Sequence, residues 1–133
     1  MRDGIDRVTG QRLSGWAHCV QSIAVILSTR VGTRIMRRDF GSSVRDLQDR
    51  NASQATVARV YVAVVEALRR WEPGYRVRTL QLLRGGRDGV FVFVFDGTFY
   101  PRGHLGDYSA QEVRAASVGL AADDQSIVFV RAA

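Results

Sequence analysis

Asp39-Phe40-Gly41, with Arg37 and Arg38 directly before it, is the stretch whose residue types come nearest to a chemical site. The same tripeptide holds a catalytic magnesium ion in protein kinases, so phosphoryl transfer is the first chemistry to test. That chemistry also needs a glycine-rich phosphate loop, a strand lysine and a catalytic-loop aspartate with a downstream asparagine. The 133-residue chain has no lysine, no such glycine loop ahead of Asp39, and no length for a second lobe. The reading that survives is structural. Asp39 pairs with an arginine, Phe40 anchors the segment, and Gly41 permits a turn.

Other reactive constellations fare no better. A glycosidase needs two carboxyl groups flanking a sugar bond, and the only glutamates are Glu66, Glu72 and Glu112. Glu66 lies mid-helix with Arg70 as a partner four residues on, Glu72 at a helix end, and Glu112 in a polar segment. His18 and Cys19 are neighbours on a helix and point apart, and with His104 they make no zinc spacing. No Gly-x-Ser-x-Gly elbow supports a serine nucleophile. The sequence thus assigns no catalytic, metal or cofactor residue. Asn51-Ala52-Ser53 matches a glycosylation sequon but reads better as a helix cap.

The composition is that of a folded domain, 46% hydrophobic and 24% charged. All nineteen basic residues are arginine and the net charge is +6. Arginines spread from Arg2 to Arg131 fit an acidic protein partner as well as a nucleic acid, and no zinc finger or RNP motif favours the latter. The lone Cys19 makes no internal disulfide. The polar N-terminus lacks the apolar core of a signal peptide and no run is long enough for a membrane span, so a cytoplasmic start is expected.

Periodicity sets the elements that would position these residues. Residues 1–13 read as a flexible or partner-ordered arm, and 14–133 as a single domain. Trp16, Val20, Ile23 and Leu27, widened by Ile26, predict a helix over about 15–29, with Ser14 as its cap and Gly32 just past its end. Segment 30–50 is dense in charge, with Ile35, Met36 and Phe40 as apolar anchors. Ser42 or Ser43 caps a short turn carrying Val44 and Leu47. A second helix, about 53–71 with Ser53 as cap, buries Val57, Val60, Tyr61, Val64, Leu68 and Trp71, with Val65 beside them; Pro73 stops it. Strands at 75–84 and 90–100 flank a turn at 85–89. Residues 101–116 read as loop with a helical turn near Glu112. Ser117–Leu120 is a candidate short strand, and Ser126–Val130 a last strand after a turn at Asp123–Asp124. The fold class is α+β: two main helices packed on a mostly antiparallel sheet.

The segment 20–49, "QSIAVILSTRVGTRIMRRDFGSSVRDLQD", and the later "ALRRWEP" then become specific. Ile26, Leu27, Thr29, Gly32, Arg34, Met36, Phe40, Gly41, Ser42, Leu47, Asp49, Trp71, Glu72 and Pro73 stand in order. Their pattern resembles the baseplate wedge family of contractile phage tails, the protein W type of baseplate assembly protein. The resemblance covers Ser14 to Tyr100, and "YPRGHLGDYS" at 100–109 looks like the tail of some members. The family's helix ends in Glu-Pro-Arg, whereas here the third residue is Gly74, and Arg76 is the candidate replacement for the missing charge.

The resemblance implies a non-enzymatic structural component, with no cofactor, in the tail baseplate of a virion or tailocin. A related component serves the type VI secretion baseplate. Its implied partners are the large wedge proteins, the core helical bundle and the tail sheath protein, with tube or hub proteins as further candidates and no membrane. It would offer a platform for the first sheath ring, through a fold like the domain that joins sheath subunits. The family's lysozyme-like label leaves a cell-wall hydrolase as one alternative, and the net charge leaves a nucleic-acid binder as another. The residues expected at protein interfaces are Arg34, Met36, Arg37, Arg38, Asp39, Phe40, Gly41, Glu72, Pro73, Arg76, Val128 and Val130. An exposed sheet edge could take a partner's strand, with Phe91, Phe93, Phe95, Val128 and Val130 on the strands to watch.

Overall fold

A computed structural model describes residues 3–44, 54–85, 91–120 and 127–132. The elements in chain order are β1 (Asp3–Ile5), β2 (Arg12–Ser14), α1 (Gly15–Ser28), α2 (Gln54–Trp71), β3 (Tyr75–Gly85), β4 (Phe91–Phe99), a single 3-10 turn (Gly103–Leu105), β5 (Glu112–Leu120) and β6 (Ile127–Ala132). The last four strands form one antiparallel sheet in the order β3-β4-β5-β6. Helix α1 lies against β5 and β6, and α2 against β3, so both helices cover one face. The α+β arrangement expected from periodicity is the one observed.

The core follows the two helical stripes. Val20, Ile23, Ile26 and Leu27 of α1 meet Val60, Val64 and Leu68 of α2 over Tyr75, Phe95, Ala116 and Val118 of the sheet. Each large apolar side chain fully removed from water contributes roughly 1.5–3 kcal/mol, so these residues carry most of the driving force. Trp16 packs its ring 5.3 Å from Tyr75 and 5.4 Å from Phe99. The Tyr75 hydroxyl donates to the Arg114 carbonyl (3.0 Å), and burial, with Asp96 nearby, pushes its ionisation well above the usual tyrosine value. Val65, read as lying beside the stripe, is 43% exposed.

Several expectations are corrected. Residues 3–13 of the segment read as an arm form, with Ser14, the β1-β2 hairpin. Its turn closes on the Asp6 carboxylate, which accepts from the Val8 and Thr9 amides (2.7 and 3.2 Å) and is held below the usual carboxylate range by those bonds. Gln21 of α1 clasps the hairpin: its amide donates to the Ile5 carbonyl (2.9 Å) and its oxygen accepts from the Arg7 amide (3.0 Å). Ser14 occupies the cap position with extended backbone but makes no capping bond; it completes β2 instead. At the far end of α1, Thr29 donates both its amide and its hydroxyl to the Val25 carbonyl.

Residues 112–116 are not loop or helical turn. They are the first part of a nine-residue β5 that pairs with β4 without interruption from Phe99↔Glu112 to Phe91↔Leu120. Ala115 and Ala116 favour helix locally, but the long β4 ladder offers every backbone group a partner, which outweighs that preference. The candidate strand at 117–120 is the end of the same element. The expected Ser53 cap, the Leu47 turn, the sequon, the 85–89 turn beyond Gly85 and the Asp123–Asp124 turn lie outside the described residues.

Candidate protein interface

The segment after α1 folds into a closed loop. Arg30 and Ser42 form an isolated parallel bridge, and the Ser42 amide donates to the Thr29 carbonyl (2.9 Å). The Ser42 hydroxyl donates to the Leu27 carbonyl (3.2 Å), one of the acceptors left over at the end of α1. Ser42 therefore latches the loop to the helix that precedes it. Gly32, at φ +90°, donates to the Arg38 carbonyl (2.7 Å) across the loop. Gly41 sits at φ +125°, and a Cβ there would lie 2.5 Å from the Thr29 carbonyl oxygen. Only glycine lets the two backbones come this close.

Within this frame the charged residues stack on rings. Phe40 meets Trp71 edge to face, with centroids 5.0 Å apart. The Arg34 guanidinium lies 4.3 Å from the Phe40 ring centre, while Arg37 and Arg70 lie 5.7 and 4.9 Å from that of Trp71. Arg70 also donates to Asp39 (3.3 Å). This brings four residues of the loop together with the last two of α2, and gives Arg70 a partner other than the expected Glu66. Each stacked pair is worth about 0.5–1 kcal/mol where exposed, so the energy is small, but the guanidinium planes are held in place. Phe40 is the anchor that the sequence indicated. Ile35 and Met36 are not anchors: they are 82% and 95% exposed, and Met36 takes φ +69°, a conformation uncommon for a side-chain-bearing residue. Arg38 is exposed on the same loop.

The remaining expected residues lie elsewhere. Glu72 is buried at 3% exposure; its amide completes the last α2 bond to Leu68 (2.8 Å), and the residue lines a crevice with His18, Cys19 and His104. Pro73 is exposed. Gly74 donates nothing to charge recognition, but its carbonyl accepts from Tyr100 (2.7 Å), and a Cβ on Gly103 would lie 2.8 Å from its Cα. Arg76 is not drawn into the Arg34–Phe40 cluster described above. It stacks on Tyr100 and Tyr108, at 5.3 and 4.8 Å. Spacing alone gave no sign of this second stack, because a loop of several residues separates the tyrosines.

Val128 and Val130 lie on β6, at one edge of the sheet. Strand β4, with Phe91, Phe93 and Phe95, is internal, so it offers no edge to a partner. Strand β3 forms the other edge, but its register breaks between Val77 and Thr79 and again between Leu82 and Arg84. Such bulges blunt an edge against strand addition. Among the described residues no cluster of three or more His, Cys, Asp or Glu could cage a metal, and no helix is long and apolar enough to cross a membrane.

Comparison with known proteins converges on one assembly. A profile of the family described as baseplate wedge protein gp25 matches residues 14–93, more than half of the chain. Baseplate protein W of Escherichia phage P2 is 39% identical over 70 residues, which are 53% of this chain and 61% of that relative. A chain in the cryo-EM structure of the post-contraction baseplate of pyocin R2 superposes with a TM-score of 0.62 at 35% identity, covering 74% of this chain and 98% of that one. A putative tail lysozyme from Geobacter sulfurreducens shares the fold, with a TM-score of 0.60 over 83% of this chain and 93% of its own, at 22% identity.

Proposed function

The chain belongs to the baseplate wedge protein gp25 family and is a structural component of a contractile-tail baseplate; from that premise we propose that it joins the wedge proteins to the core bundle and seeds the first sheath ring. The observation that carries this reading is the ordered ladder of Arg34, Phe40, Trp71, Arg37 and Arg70 with Asp39 at its side. Its loop is latched by backbone bonds and by Gly41, so the arginines meet a partner with little ordering left to lose. Arg34, Arg37 and Arg38 suit carboxylates on that partner, and the exposed Ile35 and Met36 supply apolar contact beside them.

For the sheath, the β6 edge carrying Val128 and Val130 is the better candidate for strand addition, since its pairing breaks register once, between Gly119 and Leu120, against twice for β3. The protein acts without catalysis in this reading. Glu112 is engaged by Arg114 (2.8 Å), Glu72 is buried, and Glu66 stands exposed on a helix, so these three carboxylates do not converge on one cleft. The protein would fold in the host cytoplasm before joining the particle.

The test is the double variant Arg37→Ala with Arg38→Ala, assayed for incorporation into baseplates and for thermal stability. Incorporation should fall sharply while the melting temperature falls by no more than about 4 °C, as expected of exposed charges and one exposed stack. Equal loss of both would make the pair structural. Deleting the gene should leave tubes without complete sheathed baseplates; normal contractile tails would refute the role.

A further inference from the structure

The tip of the latched loop is a four-residue turn from Arg34 to Arg37, in which the Arg37 amide donates to the Arg34 carbonyl (3.3 Å). Met36 is the third residue of that turn, at φ +69°. A positive φ at this position calls for glycine or asparagine, because a Cβ crowds the backbone there. Among the described residues Met36 is the one side-chain-bearing residue with a positive φ. It is also 95% exposed, so in the free chain its side chain brings strain and almost no packing. Any gain from that side chain must come from outside the chain. We propose that Met36, with Ile35 beside it, is a plug that enters an apolar pocket rimmed by carboxylates on a neighbouring protein of the assembly.

Strain of this kind persists only where the surroundings hold it. Here the turn is braced on both sides. Before it, the Thr33 hydroxyl donates to the Arg30 carbonyl (2.6 Å). After it, the Phe40 amide donates to the Arg37 carbonyl (3.1 Å), and Gly32 donates to the Arg38 carbonyl across the loop. A tip that is ordered before contact loses little freedom on docking.

Charge and chain chemistry select the socket. Arg34 and Arg37 stand at the two ends of the turn, stacked on Phe40 and Trp71. Neither they nor Arg38 have a carboxylate partner among the described residues, whereas Arg70 pairs with Asp39. Three uncompensated cations around an apolar tip favour a rim of carboxylates and disfavour a basic one. A nucleic acid would suit the cations but would leave Ile35 and Met36, at 82% and 95% exposure, without apolar contact. The unbranched thioether of methionine adapts to the shape of a pocket, which suits the residue at the point of entry.

The inference rests on the reading of the 34–40 loop as a partner contact, and its experiment separates the two. Met36→Asn removes the apolar side chain and puts there a residue that tolerates positive φ. Its melting temperature should be no lower than that of the wild type, while incorporation into baseplates should fall roughly tenfold. Met36→Leu keeps an apolar side chain and should be incorporated within about twofold of wild type. A second readout uses oxidation. Hydrogen peroxide converts exposed methionine to the sulfoxide, and the chain has only Met1 and Met36. By mass spectrometry, Met36 of the free full-length protein should oxidise at least about tenfold faster than Met36 in assembled baseplates. Equal rates would overturn the proposal, as would slow oxidation of the free chain, which would mean that the tip is already covered. A lower melting temperature for Met36→Asn would make the residue structural and would also overturn it. If Met36→Asn is incorporated normally while Arg37→Ala with Arg38→Ala is not, the plug is refuted and the loop remains a charged contact. If both are incorporated normally, the reading of the loop falls with it.

Discussion

Replacing Gly41 by alanine tests how the loop is held. Its φ of +125° is a conformation that side-chain-bearing residues rarely adopt, and the new Cβ would meet the Thr29 carbonyl oxygen at 2.5 Å. The conformational strain costs about 1–2 kcal/mol. Relieving the clash moves one backbone off the other and loosens the two Ser42 bonds, to the Thr29 and Leu27 carbonyls, each worth about 1 kcal/mol net. The expected loss is therefore about 3–4 kcal/mol, or a melting point roughly 12 °C lower for a chain of this size. Gly32→Ala is the matched control. Gly32 also has positive φ, at +90°, but a Cβ there meets nothing within 4 Å, so only the strain is felt. Urea unfolding of both variants, compared at unchanged m-value, should separate them by about 2 kcal/mol. Equal losses, or a Gly41→Ala loss under about 0.5 kcal/mol, would show that the close approach to Thr29 does not organise the loop.

Further outcomes follow from the same structure. Asp39→Ala should cost under about 1 kcal/mol by chemical denaturation, because both partners of its pair with Arg70 are more than half exposed; a larger loss would make the pair structural. Phe40→Ala should cost about 2–3 kcal/mol, below the roughly 3–5 kcal/mol of a fully buried aromatic because the site is only partly buried, and should shift the Trp71 emission; an unchanged spectrum would separate the two rings in solution. Tyr75→Phe should lose about 1 kcal/mol at neutral pH with its bond to the Arg114 carbonyl. Since the folded state raises the Tyr75 ionisation above the ordinary tyrosine value of 10.0, the stability it contributes is intact below that pH and is lost as pH climbs beyond it. Wild-type stability should fall over that alkaline range more steeply than that of Tyr75→Phe, and parallel curves would refute the assignment. Gly97→Ala should be among the most damaging strand substitutions, with a Cβ only 2.1 Å from the Arg76 carbonyl oxygen; a soluble variant with wild-type stability would show that β3 and β4 can part there without cost.

The loop also shows why a kinase-like tripeptide is misleading out of context. Aspartate, phenylalanine and glycine serve here as an ion-pair partner, a ring anchor and a point of close backbone approach. None of these roles requires a metal. All three depend on Trp71 and Arg70, some thirty residues along the chain, and on Thr29 at the end of the preceding helix.

The sequence by itself determined whatever depends on local periodicity and on ordered anchors. Helical spacing placed α1 and α2 within about a residue of their ends, since burying one stripe of each helix is the main source of stability. Alternating valine and phenylalanine marked β4, and the anchors from Ile26 to Pro73 indicated the family. Only the tertiary structure decided the rest. β5 became a strand because β4 had unpaired backbone to offer it, whatever alanine prefers locally. Residues 3–14 are held as a hairpin by Gln21, a contact between distant positions. Ile35 and Met36 were apolar enough to read as anchors, yet Phe40 alone reaches Trp71, and the loop closure turns the other two outward. Arg34, Arg37 and Arg70 became one surface, and Arg76 part of another, because stacking depends on where the rings lie in space, and spacing along the chain does not encode that.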